Sequence, residues 1–170
     1  MRTSTGPSPR VLDALGTVVR LGLAAVWLVS GAIKASDPLQ THAAVQAYRV
    51  LPRSLVGVVA GGLPWFELAL GLLLVLGVGT RLVAVLSGLL LLVFIAGVTQ
   101  AWARGLAIDC GCFGGGGEVG ADQTSYGTEL LRDSGFMVLA VWLMIRPSTL
   151  LALDGVLARG GGPLLSGEGA

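Results

Sequence analysis

The chain has 170 residues, 54% hydrophobic and 12% charged, with a mean hydropathy of +0.81; an ordinary soluble domain carries roughly 25% charged residues, which excludes a soluble globule. Eleven Lys and Arg against ten Asp and Glu leave a net charge of +1, and the scattered basic residues give no footprint for nucleic acid. At 17.3 kDa there is room for one membrane domain without an appended catalytic domain, and two cysteines exclude a disulfide-rich scaffold.

Residues 1–10 are rich in Ser, Thr, Pro and Gly and are expected to be a disordered tail. The first apolar window, Val11 to Ile33, is most apolar after Arg20. It is long enough to cross a hydrocarbon layer about 30 Å thick, and the apolar segments that follow favour a span over a cleaved signal peptide. In Lys34-Ala35-Ser36-Asp37-Pro38, Asp37 reads as an N-cap with Pro38 in the first turn. A short interfacial helix is expected there, with a ragged apolar face of Leu39, Ala43, Val45 or Gln46, and Val50, stopped by Leu51-Pro52. His42 reads as a surface or interface residue without a role.

The second window, Ser54 to Gly79, contains Pro64 and Glu67. Pro64 either frees the Ala60 carbonyl inside a continuous helix or sits in the first turn of a helix that begins near Gly62. A carboxylate at such depth costs several kcal/mol unless paired, protonated or wetted. Glu67 is therefore either structural, hydrogen-bonded or paired with Lys34 or Arg81, or it is a proton relay or cofactor contact. The third window, Arg81 to Ala101, is the clearest, and Gly77 to Thr80 is so short that the two windows form an antiparallel hairpin. The fourth, Gly135 to Ile145, follows Glu129, Arg132 and Asp133 and stops at Arg146-Pro147; its charged first turns either rise into the headgroups or face the bundle.

The expected fold is all-α: a four-transmembrane-helix bundle over residues 11–153, with residues 154–170 a second disordered tail. Basic residues divide evenly between the two sides, five with the termini and five opposite. The acids Asp109, Glu118, Asp122, Glu129 and Asp133 decide the orientation: termini cytoplasmic and the loop before the fourth span external, in a bacterial-type plasma membrane.

Both cysteines lie in that loop, in Asp109-Cys110-Gly111-Cys112-Phe113-Gly114. A Cys-Gly-Cys pair closes a small ring for which Gly111 supplies the backbone freedom. Such a disulfide is expected to be strained, exposed and suited to exchange rather than to permanent stapling. Gly114 to Gly117 read as a mobile strip open to a partner. Asp109 either accepts a proton during exchange or raises the thiol pKa. The competing readings are inert core cysteines and a metal site shared with a partner. Structural zinc needs about four ligands, so no metal site is assigned to this chain.

These residues resemble the family of MauE and DoxX, small four-span membrane proteins associated with redox processes. The matching pieces are Ser30-Gly31-Ala32-Ile33-Lys34 with Asp37-Pro38, Tyr48-Arg49-Val50-Leu51-Pro52, Pro64-Trp65-Phe66-Glu67 with Gly71, and the cysteine motif, which places the chain on the MauE side. They cover about residues 20 to 150. The resemblance implies disulfide handling or electron transfer at the membrane, beside a thioredoxin-like or disulfide-containing partner. The architecture is also similar to DsbB and the vitamin K epoxide reductases, which pass electrons between thiols and a quinone but use two cysteine pairs. The leading expectation is a membrane thiol-disulfide oxidoreductase in which Cys110 and Cys112 exchange, supported by Asp109, Gly111, Lys34 and Tyr48. A quinone would be held beside Glu67 and Trp65. The rivals are a non-catalytic subunit or assembly helper and a proton-coupled transporter using Glu67.

Overall fold

The computed structural model describes residues 8–111, 115–150 and 152–154. It consists of α1 (Pro9–Ser36), α2 (Pro38–Ala47), α3 (Arg53–Leu76), α4 (Thr80–Ala103) and α5 (Tyr126–Ile145). Between α4 and α5 the chain makes an antiparallel ribbon, β1 (Ile108–Asp109) and β2 (Gly117–Glu118), and a 3-10 turn at Ala121–Gln123. The fold is thus mostly helical, with a small ribbon that an all-α reading omits.

Three helices are long and apolar enough to cross a membrane, Arg10–Ser36, Arg53–Leu76 and Thr80–Ala103, with mean hydropathies of 1.7, 1.9 and 2.7. Their outward positions carry large apolar side chains such as Val18, Val58, Leu82 and Leu92, as expected of an integral membrane protein whose solvent is lipid. The expected fourth span occupies the second half of α5, which is not among the three; Glu129, Arg132 and Asp133 lie in its earlier turns.

Pro9 opens α1, so the helix begins inside the expected N-terminal tail, because proline at the first helical position forfeits no intrahelical hydrogen bond. Asp37 caps α2 by accepting the Gln40 N–H at 3.0 Å. The buried face of α2 is Thr41, Ala44 and Ala47, not the Leu39 side; Leu39 is exposed. Small residues let α2 lie close on its neighbours. Pro64 lies inside a continuous α3, which realises the first of the two alternatives for that proline.

The Gly77-Val78-Gly79 turn joins α3 to α4. Gly77 adopts φ 66° and closes a Schellman motif: its N–H meets the Leu74 carbonyl at 3.2 Å and the Val78 N–H meets Leu73 at 3.1 Å. Although consecutive, α3 and α4 are not the main pairs; α1 packs most extensively on α3, and α4 on α5. Glycines set the first pairing. A Cβ on Gly31 would lie 2.9 Å from the Pro64 carbonyl oxygen, and one on Gly71 2.7 Å from Leu28 Cγ. Such close approach is how membrane helices gain dispersion contacts when burial alone supplies no drive. Leu23, Trp27, Leu70, Leu74, Leu91 and Leu143 fill the core, and Trp27 Nε1 donates to Ser87 Oγ at 2.9 Å across α1 and α4.

Two charges secure the α3–α4 turn. Buried Arg20 donates from Nη1 to the carbonyls of Leu74 at 2.6 Å and Val75 at 3.1 Å, supplying partners to the last turn of α3. Asp154 accepts the N–H groups of Gly79 at 2.8 Å and Thr80 at 3.0 Å, capping α4 from a distant part of the chain. The packed body therefore extends to Asp154, which the sequence reading assigned to the C-terminal tail; residues 155–170 lie outside the described residues.

Candidate functional site

The ribbon pairs Ile108 with Glu118 and Asp109 with Gly117, which brings Gly111 back against Gly116. Both have left-handed backbones, φ 70° and 105°. A Cβ on Gly111 would come 3.0 Å from Ala44 Cβ, and one on Gly116 2.7 Å from the same atom. Only glycine lets the backbone settle on α2 at both points. Gln40 Nε2 donates to the Gly116 carbonyl at 3.0 Å. Gly116 and Gly117 are therefore packed rather than part of the free strip expected, because α2 offers a surface of small residues, whereas Gly115 is exposed; Gly114 lies outside the described residues. Asp109 Oδ1 accepts the Gly111 N–H at 3.3 Å, so this carboxylate helps shape the turn beside Cys110.

Cys110 is 8% exposed, within a cluster formed with Ala47, Val98, Ala101, Ile108 and Tyr126. This corrects the expectation of an exposed sulfur at position 110. The physical reason is Tyr126, whose hydroxyl donates to the Leu106 carbonyl and accepts the Ile108 N–H at 3.1 Å, fastening the strand before Cys110 to α5. Its ring stacks on Trp102 with centroids 6.1 Å apart. Cys110 is disulfide-bonded, and no cysteine among the described residues is free. Cys112, the second predicted catalytic residue, lies outside the described residues, as does Phe113.

Polar groups converge on Cys110 from α5 and from the C-terminal end of α2. Its N–H donates to Glu129 Oε1 at 3.3 Å, its carbonyl accepts from the Tyr48 hydroxyl at 3.4 Å, and Arg132 Nη2 lies 4.0 Å from its Sγ. Arg132 Nε also donates to Asp133 Oδ1 at 3.2 Å. Burial, with the charges of Glu129, Asp133 and Asp109, holds the Tyr48 phenol well above its ordinary pKa, so this hydroxyl keeps its proton and acts as a donor. Glu129 and Asp133 are buried, and one oxygen of each, Oε2 and Oδ2, has no hydrogen-bond partner among the described residues. Sequence reasoning saw these two acids only as charged first turns. Their spacing of four, which places both on one face of a helix, combined with the cost of a carboxylate in hydrocarbon already applied to Glu67, is the signal from which they could have been found.

Deeper in the bundle, Lys34 and Glu67 form a buried ion pair, 7% and 0% exposed. Lys34 Nζ lies 3.0 Å from each Glu67 oxygen. Ser30 Oγ donates to Glu67 Oε2 at 3.1 Å and accepts from Lys34 Nζ at 2.5 Å. The pair exists because Gly31 and Gly71 let α1 and α3 approach closely, while the i, i+4 spacing sets Ser30 and Lys34 on one face of α1. Lys34 Nζ also lies 5.7 Å from the centroid of the Phe94 ring on α4. Of the two cationic partners offered by the sequence, Lys34 is the one used.

Between this pair and the ribbon lies a largely apolar cavity of about 590 Å³. Lys34, Tyr48, Phe94, Gln100, Cys110 and Gly111 are among the residues that line it. Glu67 stands behind Lys34, whereas Trp65 is 68% exposed and faces away from the core. His42 is also exposed. Among the described residues no group of three or more His, Cys, Asp or Glu side chains gathers to hold a metal ion.

A family model described as "Methylamine utilisation protein MauE" matches residues 12–146, which include both cysteines and the Lys34–Glu67 pair. Neither the curated proteins nor the solved structures give a match.

Proposed function

Because the chain belongs to the MauE family, we propose that it is a membrane thiol-disulfide redox protein in which Cys110 and Cys112 form a disulfide that exchanges with a thioredoxin-like partner and passes electrons on to a quinone. α5 serves as the fourth span: its outward residues Leu131, Val138, Val141 and Ile145 are apolar, while Glu129 and Asp133 turn inward. α2 lies at the interface, the termini are cytoplasmic, and the ribbon faces the outside.

The observation that carries this reading is the Arg132 guanidinium 4.0 Å from Cys110 Sγ. A partner thiolate attacks the Cys112 sulfur; a partner–Cys112 bond forms, the Cys112–Cys110 bond breaks, and Cys110 leaves as a thiolate stabilised by Arg132. The partner's second thiol then attacks its own sulfur in the mixed disulfide and releases Cys112. Two electrons and two protons reach this chain and the partner becomes a disulfide. Burial of Cys110 fits its role as the leaving sulfur, with Cys112 the one attacked.

A mass-tag alkylation assay on the full chain in lipid tests this. Reduction by a soluble dithiol should convert the chain from untagged to doubly tagged, and an oxidised thioredoxin-like protein should reverse it. Failure to interconvert in either direction would reject exchange. Burial of Cys110 in an apolar cluster also favours a second reading, a non-catalytic assembly helper whose disulfide only shapes a partner-binding surface. That reading predicts that the double Cys→Ser variant still supports a functioning partner; the exchange reading predicts that it does not.

A further inference from the structure

We propose that the apolar cavity between α2, α3 and α4 holds an acyl chain of an anionic phospholipid whose phosphate is bound at the rim by Arg49, Arg53 and Arg104. The cavity is about 590 Å³, within the roughly 300–1,000 Å³ usual for a bound small molecule. Val45, Val50, Leu63 and Phe94 are among the apolar side chains on its wall. The polar groups there are already bonded within the protein: Lys34 Nζ to Glu67 and Ser30, the Tyr48 hydroxyl to the Cys110 carbonyl, and Gln100 Nε2 to the Tyr48 carbonyl at 3.0 Å. An occupant therefore has no hydrogen bond to satisfy, and a hydrocarbon chain enters without leaving a buried polar group unpaired.

The opening faces lipid. Val59 of α3 and Val93 of α4 line the cavity and are exposed on membrane-spanning helices, so acyl chains of the bilayer stand directly against it. A water-soluble metabolite would have to cross hydrocarbon to reach the same opening.

The rim supplies the charge. Arg53 is the first residue of α3 and Arg104 follows the last residue of α4; the two helices run antiparallel, so both arginines stand at the same edge of the membrane, where phosphates lie. A second, polar cavity of about 610 Å³ shares Leu51 with the apolar one and is lined by Arg49, Arg53 and Glu118. Arg104 Nη1 donates to Gln100 Oε1 at 3.0 Å and to the Arg49 carbonyl at 3.4 Å, and Gln100 lines the apolar cavity, which sets this guanidinium on the rim between the two. Arg49 gives one N–H group to Glu118, 2.6 Å away, while Arg53 makes no ion pair among the described residues. Three exposed guanidiniums, each with five N–H donors, against one carboxylate leave an excess of positive charge with donors to spare.

Arginine recognises phosphate through pairs of charge-assisted hydrogen bonds, and basic pockets beside membrane helices collect acidic headgroups. A zwitterionic headgroup would bring its own cation against the same three guanidiniums, so the excess charge selects an acidic lipid. A free phosphate leaves the apolar cavity unfilled, and an uncharged chain leaves the arginines unmatched; a phospholipid carries both parts on one molecule. Seated there, its chain covers Cys110 and Gly111, which line the inner wall. The inference does not rest on disulfide exchange.

The test uses the full chain in nanodiscs of equal parts phosphatidylcholine and phosphatidylglycerol, transferred to a mild detergent and weighed by native mass spectrometry. One phosphatidylglycerol per chain should survive the transfer. Arg53→Gln with Arg104→Gln should lower its retention roughly tenfold or more, about 1.4 kcal/mol or more, with phosphatidylcholine unchanged, and Arg53→Lys with Arg104→Lys should recover part of the loss. Ala96 lines the cavity from an exposed position on α4; Ala96→Trp fills the opening without altering the arginines and should release the lipid to the same extent. A phosphatidylglycerol with a photoactivatable diazirine at the end of one acyl chain should label residues 45–51 or 93–100 of the parent, and Ala96→Trp should remove that label. The substituted positions are all exposed, so each variant should keep the parent's tryptophan fluorescence; for one that does not, the label on the parent decides. Equal retention of the two phospholipids, or label outside those segments, overturns the proposal. So does retention that survives Ala96→Trp, because the arginines would then hold a phosphate without the cavity. Failure of the alkylation assay sinks the redox reading alone and leaves this site standing.

Discussion

Removing Lys34 should leave Glu67 as a carboxylate with no counter-charge in the centre of the bundle. Nζ sits 3.0 Å from both carboxylate oxygens, where the attraction is about 5 kcal/mol at an effective dielectric constant of about 20. Desolvating each ion costs several kcal/mol, so the intact pair comes out near neutral, but deleting one partner costs about 3–5 kcal/mol. We therefore expect Lys34→Met to lower the unfolding free energy by that amount, and Lys34→Met with Glu67→Gln to recover all but about 1 kcal/mol, since no charge remains to desolvate. The assay is denaturant unfolding of the detergent-solubilised chain, followed by the fluorescence of the tryptophans, among them Trp27 in the core. Ser30→Ala, which removes the hydroxyl shared by both ions, should fall between, at about 1 kcal/mol. Equal destabilisation of the single and double variants would refute an unpaired-charge cost, because the loss would then come from packing.

Partial burial pushes the Asp154 carboxyl up, but the N–H groups of Thr80 and Gly79 and the charge of Arg20 outweigh it and hold the group below the usual carboxylate range. Its contribution is thus complete above the unfolded value of about 3.9 and is lost as pH falls through the lower folded value. Asp154→Asn should cost about 1 kcal/mol at neutral pH, with the gap to the parent narrowing below about pH 4 in pH-dependent unfolding. Gly116→Ala imposes a φ of 105° on alanine and a Cβ 2.7 Å from Ala44 Cβ and 2.9 Å from Gly111 Cα; it should cost about 1–3 kcal/mol, and Ala44→Gly should restore only the part due to the Ala44 contact, as measured by the same unfolding assay. Arg132→Met removes the cation beside Cys110 Sγ and should slow alkylation of that thiol in the reduced chain roughly three- to tenfold near neutral pH, with the Cys112 rate as internal reference.

Membrane character, the positions of α1, α3 and α4 to within a few residues, the Asp37 cap and the demand of Glu67 for a partner are all legible in the sequence, because each depends on local quantities: apolar run length, cap chemistry and the cost of a charge in hydrocarbon. The sequence offered both Lys34 and Arg81 to Glu67 and two helix starts around Pro64. Only the approach of α1 to α3 through Gly31 and Gly71 chose between the cations. Tertiary structure alone decided that Cys110 is buried, that Gly111 and Gly116 are seated on Ala44, that Arg132 reaches the sulfur from α5, and that Asp154 returns to cap α4. The reason is physical: a hydropathy window reports whether a segment prefers lipid, but which buried polar groups meet depends on helix rotation and crossing, set by close-packed contacts between residues far apart in the chain.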